Sequence, residues 1–484
     1  MAKEVPFDGP KDAPYYLIGE APGRQEVEKG KPFVGGAGNI LRKLLSESGI
    51  GRVECRIANV MRIKPPKNNF NIFSQHEVEA GIEYLKRDIG ECSPKVLVPL
   101  GNHALKAVYG VTGITNWRGS ILWSDEFKCK VIPTVHPSFI QGGNWEYAPI
   151  SRFDFSLMRE EVDKPFDPPL YNLRTGMTFG ETIQEIDRLK QSEYLAFDLE
   201  TTRAQAGGNA IITAVGFSDE LGYACSIPFM KGLQSAWTAR EEFRILDAIK
   251  ELLETPSIKV IAHNSQFDMG VLAYTYGICV ANLWRDTMCV AHVLHPELPK
   301  ALAFVRSLYT KQPYYDHWSS LGGDWFLRYN AMDAAMAFEI AMNMEPRLEA
   351  LELTTVYDKL VGNLIPVLMG MQIRGMKVDD TKRDAARKFL EQELIDTQHE
   401  LDALAGETVD ALSPKMLGNL LYNKMGLPTQ FSKTTGKPTT NEAALMKLSK
   451  KYPSKMFSCI IKIRGCRKTI STYLDASLVD GRMH

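Results

Sequence analysis

Two carboxylates two residues apart, Asp198 and Glu200 in the run YLAFDLETT, close an apolar strand pattern and therefore project from one face of it. Further along, HNSQFD carries Asn264 and Asp268, and YNAMD carries Tyr329 and Asp333. Each of these pairs is spaced by four residues, which stacks the two side chains one helical turn apart. Hard divalent cations take oxygen ligands, and four convergent carboxylates can hold two of them about 4 Å apart. Such a pair activates water and stabilises the leaving oxygen of a phosphodiester, and the Tyr329 hydroxyl is placed to orient that water. A second set lies earlier in the chain. GEAPG (19–23) follows the apolar strand YYLI, PFVGGAG (32–38) runs into the helical NILRKLLSES, and NVMRIKPPKNN (59–69) and VHPS (135–138) come after. Here Glu20, Phe33, Asn59, Asn68 and His136 offer a carboxylate, an aromatic face, two amides and an imidazole, the groups that a pocket for an extruded base requires.

These side chains need scaffolds, and the texture of the chain supplies three blocks. Residues 14–160 alternate short apolar runs (YYLIG, RIANV, KVLVPLG, KVIPTVHP) with helical patterns, the rhythm of a parallel sheet covered by helices. The stretch 161–183, with three prolines in EVDKPFDPPL, reads as an extended linker. Residues 184–345 restart with the strand YLAFDLE, continue through ITAVGF, YACSIP and KVIAHN, and then turn helical. From 346 to 484 strands vanish. There LIPVLMGMQIRGMKVD reads as a helix closed by Gly375, SPKMLGNLLYNKMGLP opens on a Ser cap followed by Pro, and Thr440 or Asn441 caps a further helix.

A length of 484 residues exceeds one compact core, so about three domains are expected. With 57 basic and 58 acidic residues the net charge of -1 gives no overall basic excess. Locally the picture differs: residues 411–484 hold thirteen Lys/Arg against three acids, a surplus of +10 that fits contact with a phosphate backbone, Lys450, Lys451 and Lys455 among them. The eight cysteines include no CxxC pair, against a zinc ribbon or redox dithiol, and scattered thiols suit a reducing compartment. The N-terminal MAKEVPFDGPKDAP lacks the apolar core of a signal peptide, and no apolar stretch is long enough for a membrane span.

Singly, a DxE on a strand or a YxxxD on a helix is an ordinary surface feature. In this order and spacing the set resembles the three exonuclease motifs of the DEDD superfamily in its tyrosine subtype, the proofreading exonuclease of family A DNA polymerases, over about 190–345. DTMCVAHVLHP (286–296) is similar to the segment between the second and third motifs. The resemblance implies a ribonuclease H-like domain in which Asp198, Glu200, Asp268 and Asp333 bind two Mg²⁺ or Mn²⁺, Tyr329 positions water and Asn264 contacts substrate. The ordered set GEAPG, PFVGxAG, NV…PPxN and HPS resembles family 4 of the uracil-DNA glycosylases over about 14–160. That implies an α/β/α sandwich in which Phe33 stacks on the base and an asparagine, Asn59 or Asn68, reads its edge. His136 then stabilises charge on the departing uracil, and Glu20 orients water or supports the cationic sugar. That family holds a 4Fe–4S cluster on four cysteines. Here the N-terminal CxxC is missing and Ile63 and Gly81 stand at two further ligand positions, so no iron–sulfur cluster is expected.

The last block resembles the thumb of a family A DNA polymerase through RGCRKTISTYLD and DGRMH. The palm and fingers motifs of that family do not follow. The expectation is therefore an α/β multidomain DNA replication and repair protein: glycosylase-like sandwich (1–160), linker, 3′–5′ exonuclease (184–345) and helical thumb segment (346–484). It would act on single-stranded 3′ ends, primer–template and uracil-containing DNA, and would not polymerise alone. Either this sequence is a piece of a longer polymerase or, the reading favoured, palm and fingers come from a second polypeptide, in the cytoplasm of a bacterium or a phage-infected host, with no membrane partner. The alternative is a non-catalytic, uracil-sensing or DNA-binding first domain on a stand-alone exonuclease subunit.

Overall fold

The computed structural model describes residues 3–202, 210–432 and 436–483. They divide into two compact units, one comprising residues up to 202 together with 211–367, the other beginning at 368.

The first unit contains two sheets. In the first, β1 (Tyr15–Gly19), β2 (Cys55–Asn59), β3 (Val96–Pro99), β4 (Leu122–Ser124) and β5 (Cys129–Val131) run in the order β2-β1-β3-β5-β4, with only β4 antiparallel to its neighbour. Every residue of β1 and β3 is buried, as strands covered on both faces must be. Alternate residues serve opposite faces. Tyr15 and Leu17 pack with Leu41, Leu44 and Phe155, whereas Tyr16 and Ile18 pack with Leu85, Ile89 and Val108. The result is helices on both sides of a mostly parallel sheet, an α/β/α sandwich.

In the second sheet, β6 (Asn172–Arg174), β7 (Tyr194–Thr201), β8 (Ile212–Glu220), β9 (Tyr223–Pro228), β12 (Lys259–Ala262) and β13 (Leu283–Asp286) are ordered β13-β12-β7-β8-β9-β6, while β10 (Met230–Lys231) and β11 (Gln234–Ser235) form a separate short hairpin. The helix Asp324–Ala350 lies across this sheet, and its buried face is built largely of small residues, including Ala331, Ala334, Ala335 and Ala341. Close approach is taken furthest at Gly216 on β8, where a Cβ would stand 2.5 Å from the Asn330 carbonyl oxygen.

The stretch read as a linker is more structured than its prolines imply. Pro165, Pro168 and Pro169 do keep it extended, but residues 172–174 then pair in parallel with β9 and complete the sheet edge. The helix Phe179–Leu189 starts inside it too, on a Thr178–Glu181 capping box. A buried hydrogen bond also joins the elements around the two sheets of this unit. Arg118, following the helix Ile114–Trp117, pairs with Asp154 and donates at 2.7 Å to Ser307 Oγ on the helix Leu302–Tyr309, and Asp154 also accepts from Thr134 Oγ1 at 2.6 Å. A buried pair with its remaining lone pairs satisfied locks register, since removing one partner strands the other charge.

The second unit is helical. Asp380–Ala405, Pro414–Gly418, Glu442–Lys451 and Lys455–Thr469 enclose Leu401, Leu417, Leu445, Phe457 and Ile460. Ser413 caps as read, accepting from Met416 N–H, and of the two candidate caps it is Asn441 that accepts, from Ala444 N–H at 2.9 Å. Strands do not vanish entirely: Met376–Lys377, just after Gly375 (φ +63°), pairs antiparallel with Arg482–Met483. Two-residue pairings carry no period-two pattern long enough to read from sequence.

Candidate functional site

The first candidate site is acidic. Asp198 and Glu200 leave β7, a central strand of the second sheet, on the same face. Asp268 sits in the first turn of the helix Ser265–Val271 just after β12, and Asp333 sits in the first half of the helix Asp324–Ala350. Carboxylate oxygens of Asp198, Glu200 and Asp333 lie within 4.8 Å of one another. Asp268 is buried against the same strand and accepts the Leu199 N–H at 3.1 Å. Asn264, with φ +60°, precedes the Ser265–Val271 helix, makes no side-chain capping bond and is exposed.

The electrostatics follow from this crowding. Burial pushes Asp198 up to about 6. Glu200 rises to about 8 through burial, with the charge of Asp198 adding to it. Burial and then Asp198 hold both Asp268 and Asp333 well above the usual carboxylate range. Among the described residues no cation pairs with this cluster, and a divalent metal would supply the counter-charge. The donors are all carboxylate oxygens, the chemistry hard cations require, so the residues present fit Mg²⁺ or Mn²⁺.

Sequence reasoning missed the groups that hold these carboxylates in place. Asn330 donates through Nδ2 to Asp198 Oδ2 at 3.0 Å and to the Asp198 carbonyl at 3.1 Å, and accepts from Ser226 Oγ at 2.7 Å. Tyr315 donates to Asp333 Oδ1 at 2.5 Å, and Tyr329 hydrogen-bonds the same carboxyl. Burial followed by the charge of Asp333 pushes the Tyr329 phenol up, so it stays protonated. Asn330 was legible in principle, as an amide inside the otherwise apolar inner face of YNAMDAAM; Tyr315 had no local signal.

The second candidate site is a cavity of about 710 Å³ at the carboxyl ends of the first sheet, lined by Glu20, Asn68, His136 and, unforeseen, His103, Phe70 and Gln141. Glu20 accepts the His103 N–H at 3.3 Å, and burial raises its carboxyl above the ordinary value. His136 Nδ1 accepts the Ser138 N–H at 3.1 Å, which leaves the proton on Nε2. Burial holds that imidazole down to about 4, so it is neutral at physiological pH. Asn68 stands exposed in a turn with φ +55°. Phe33 and Asn59 instead lie deeper, only 2% and 4% exposed. They converge on Gly19: a Cβ there would stand 2.3 Å from Asn59 Oδ1 and 2.7 Å from the Phe33 ring, so only glycine leaves room for both. Phe33 has φ +52°, held by its N–H bonding Glu26, and its ring centroid is 5.6 Å from that of His136.

An iron–sulfur cluster does not fit. Ile63 and Gly81 provide no thiolate, and a Cβ at Gly81 would stand 2.7 Å from the Val60 carbonyl oxygen and 2.8 Å from Met61 Sδ. Cys55 is buried, and that burial pushes its thiol up to about 12.

In the second unit Lys450, Lys451 and Lys455 are exposed around the junction of two helices, with Lys455 paired to Glu400 and Lys451 5.6 Å from the Tyr452 ring. No helix among the described residues is long and apolar enough to cross a membrane.

Comparison with known proteins finds three families in order: the uracil DNA glycosylase superfamily over residues 6–149, 3′-5′ exonuclease over 181–349, and DNA polymerase family A over 381–481. The chain belongs to the type-4 uracil-DNA glycosylases in its first third, and behind it carries the exonuclease and polymerase family A segments. Its relatives include a type-4 uracil-DNA glycosylase of Thermotoga maritima, 40% identical over 28% of this chain and 69% of that protein. They include DNA polymerase I of Rhizobium leguminosarum, 30% identical over 64% of this chain and 33% of that one, and a DNA polymerase of Bacillus phage SP01, 24% identical over 92% and 57% respectively. The chain thus spans about a third of the length of the first of these polymerases.

Proposed function

We propose that the chain degrades DNA from the 3′ end with two divalent metals and excises uracil from DNA without any. The observation that carries the nuclease reading is the convergence of Asp198, Glu200 and Asp333 within 4.8 Å, with Asp268 buried beside them. Mg²⁺ or Mn²⁺ held by these four carboxylates supplies Lewis-acid chemistry at the phosphodiester. The chain's own residues do the positioning. Asn330 holds Asp198, Tyr315 and Tyr329 hold Asp333, and the protonated Tyr329 hydroxyl orients the attacking water. Asn264, exposed at the mouth, contacts the strand. Degradation of a 5′-labelled single strand by the wild-type chain and by Asp198→Ala tests this reading; equal rates would overturn it.

In the cavity, the neutral His136 offers an Nε2–H to the uracil oxygen on which charge develops as the glycosidic bond breaks. Glu20 faces the sugar, where a carboxylate supports developing positive charge or orients water. Asn59 and Phe33, buried beneath the lining, would read and stack the base, with Asn68 at the rim. The 40% identity to a type-4 glycosylase supports this assignment. One observation favours the alternative of a binding module: Ile63 and Gly81 leave the family's cluster unsupported. Release of free uracil from a uracil-containing strand decides between them.

The second unit would grip primer–template through its basic surface, including Lys450, Lys451 and Lys455. Its exposed Met371, Ile373, Met376 and Phe389 form apolar surface suited to a second polypeptide carrying polymerase palm and fingers. Co-purification with such a chain, and primer extension by the complex but by neither part, tests that reading.

A further inference from the structure

The side chains beneath Asp333 continue outward into a feature that neither chemistry uses. Tyr315, bonded to Asp333, has its ring 6.0 Å from Tyr329 and 5.5 Å from Trp318, and Trp318 lies 5.3 Å from Trp325. All three separations are those of interacting aromatic pairs. Burial decreases along the series: Tyr315 is fully buried, Trp318 half-buried and Trp325 47% exposed. Trp325, Tyr329 and Asp333 are also spaced by four on the helix Asp324–Ala350, so they form one stripe leading from its first turn to the carboxylates. At 1.5 Å per residue, Trp325 lies about 6 Å along the axis from Tyr329 and about 12 Å from Asp333. Arg328 brings a guanidinium 6.0 Å from the Trp325 ring, steadied by Asp324 at 2.6 Å.

We propose that the Trp318–Trp325 pair is a base-stacking platform for the single-stranded segment that leads into the carboxylate site, taking the bases behind the terminal dinucleotide. The proposal rests on the exonuclease reading and specifies its substrate as an unpaired strand longer than a dinucleotide. Every base has a π-face, so an indole platform accepts any sequence, and a neighbouring guanidinium favours the phosphates between stacked bases. Trp325 is packed against Trp318 yet 47% exposed, so part of its ring surface remains available to a base.

The test compares the full-length wild type with Trp325→Leu, which keeps apolar bulk without a π-face, and with Trp325→Phe, which keeps the face. Substrates are a dinucleotide and a deca-thymidylate, with Mg²⁺. Trp325→Leu is expected to raise KM for the decanucleotide on the order of 5- to 100-fold, leaving kcat and the dinucleotide kinetics unchanged, and Trp325→Phe to restore most of the loss. The same pair of substitutions is made in an Asp198→Ala background, where equilibrium binding of the decanucleotide without metal reads stacking independently of nuclease chemistry. There the leucine variant should weaken Kd by a similar factor. If the wild type shows no nuclease activity but the binding loss holds, the exonuclease reading falls and the platform stands. Equal behaviour of the leucine and phenylalanine variants, an equal penalty on the dinucleotide, or a fall in kcat alone would overturn the platform.

Discussion

The two candidate sites of the first unit handle charge in opposite ways. The exonuclease-like site crowds four carboxylates with no paired cation among the described residues; burial pushes Asp198 up to about 6, and burial with the charge of Asp198 pushes Glu200 up to about 8. The glycosylase-like cavity holds a single raised carboxyl, Glu20, and an imidazole that burial keeps neutral. On the reading proposed, the first would be completed by an external cation, whereas the second carries its donor and its carboxylate within the fold. Two chemistries can therefore sit in one compact unit with different demands on the solution around them. The buried Arg118–Asp154–Ser307 link keeps them in register without mixing their reacting groups.

This contrast yields predictions of decreasing size. Asp198→Ala should lower Mg²⁺-dependent degradation of single-stranded DNA on the order of 10³-fold or more, since it removes several kcal/mol of metal-derived stabilisation. Uracil release by the same variant should be unchanged, and a parallel assay of both products checks it. Conversely, His136→Ala and Glu20→Ala should each lower uracil release roughly 10²- to 10⁴-fold while nuclease rates hold, measured on one uracil-containing strand. Asn330→Ala removes a hydrogen bond to an ionised carboxylate, worth about 1.5–3 kcal/mol. It should raise the Mg²⁺ concentration for half-maximal nuclease activity by about 10- to 100-fold, with partial recovery at saturating metal.

The pH dependences should diverge as well. Carboxylates with raised pKa bind protons that metal must displace, so the Mg²⁺ requirement should grow as pH falls from 8 towards 6 through the Glu200 and Asp198 values. In the metal-free protein the ionised cluster is destabilising above those pKa values, because the folded state holds protons more tightly than the unfolded one. Lowering pH relieves that cost. Added Mg²⁺ should therefore raise Tm more at pH 8 than at pH 6, which differential scanning calorimetry can read. Uracil release should not share this profile: His136 stays neutral down to about 4, so its acid limb belongs to Glu20.

Much of this was legible in the residues, for identifiable reasons. Strand alternation places Asp198 and Glu200 together, and helical spacing places Tyr329 beside Asp333; both are local rules. The all-buried YYLIG and VLVP runs announce a sheet covered on both faces. What was not legible depended on long-range packing. Tyr315 reaches Asp333 only through a loop with no repeating pattern, and Arg118 and Asp154, 36 residues apart, meet against Ser307 only in the fold. Phe33 and Asn59 were named, but their depth behind Gly19 is a property of three approaching segments rather than of any one. The pairing of residues 172–174 escaped notice because three residues after a proline run have no period to detect.

The central claim is that two independent chemistries share this unit, one needing a divalent cation and one not. The most direct measurement uses the purified full-length chain and a 5′-labelled single strand with one internal uracil, split between Mg²⁺ and EDTA. The account predicts 3′-end shortening only with Mg²⁺, and free uracil in both. Shortening that persists in EDTA, or uracil release that vanishes with the metal, would contradict it.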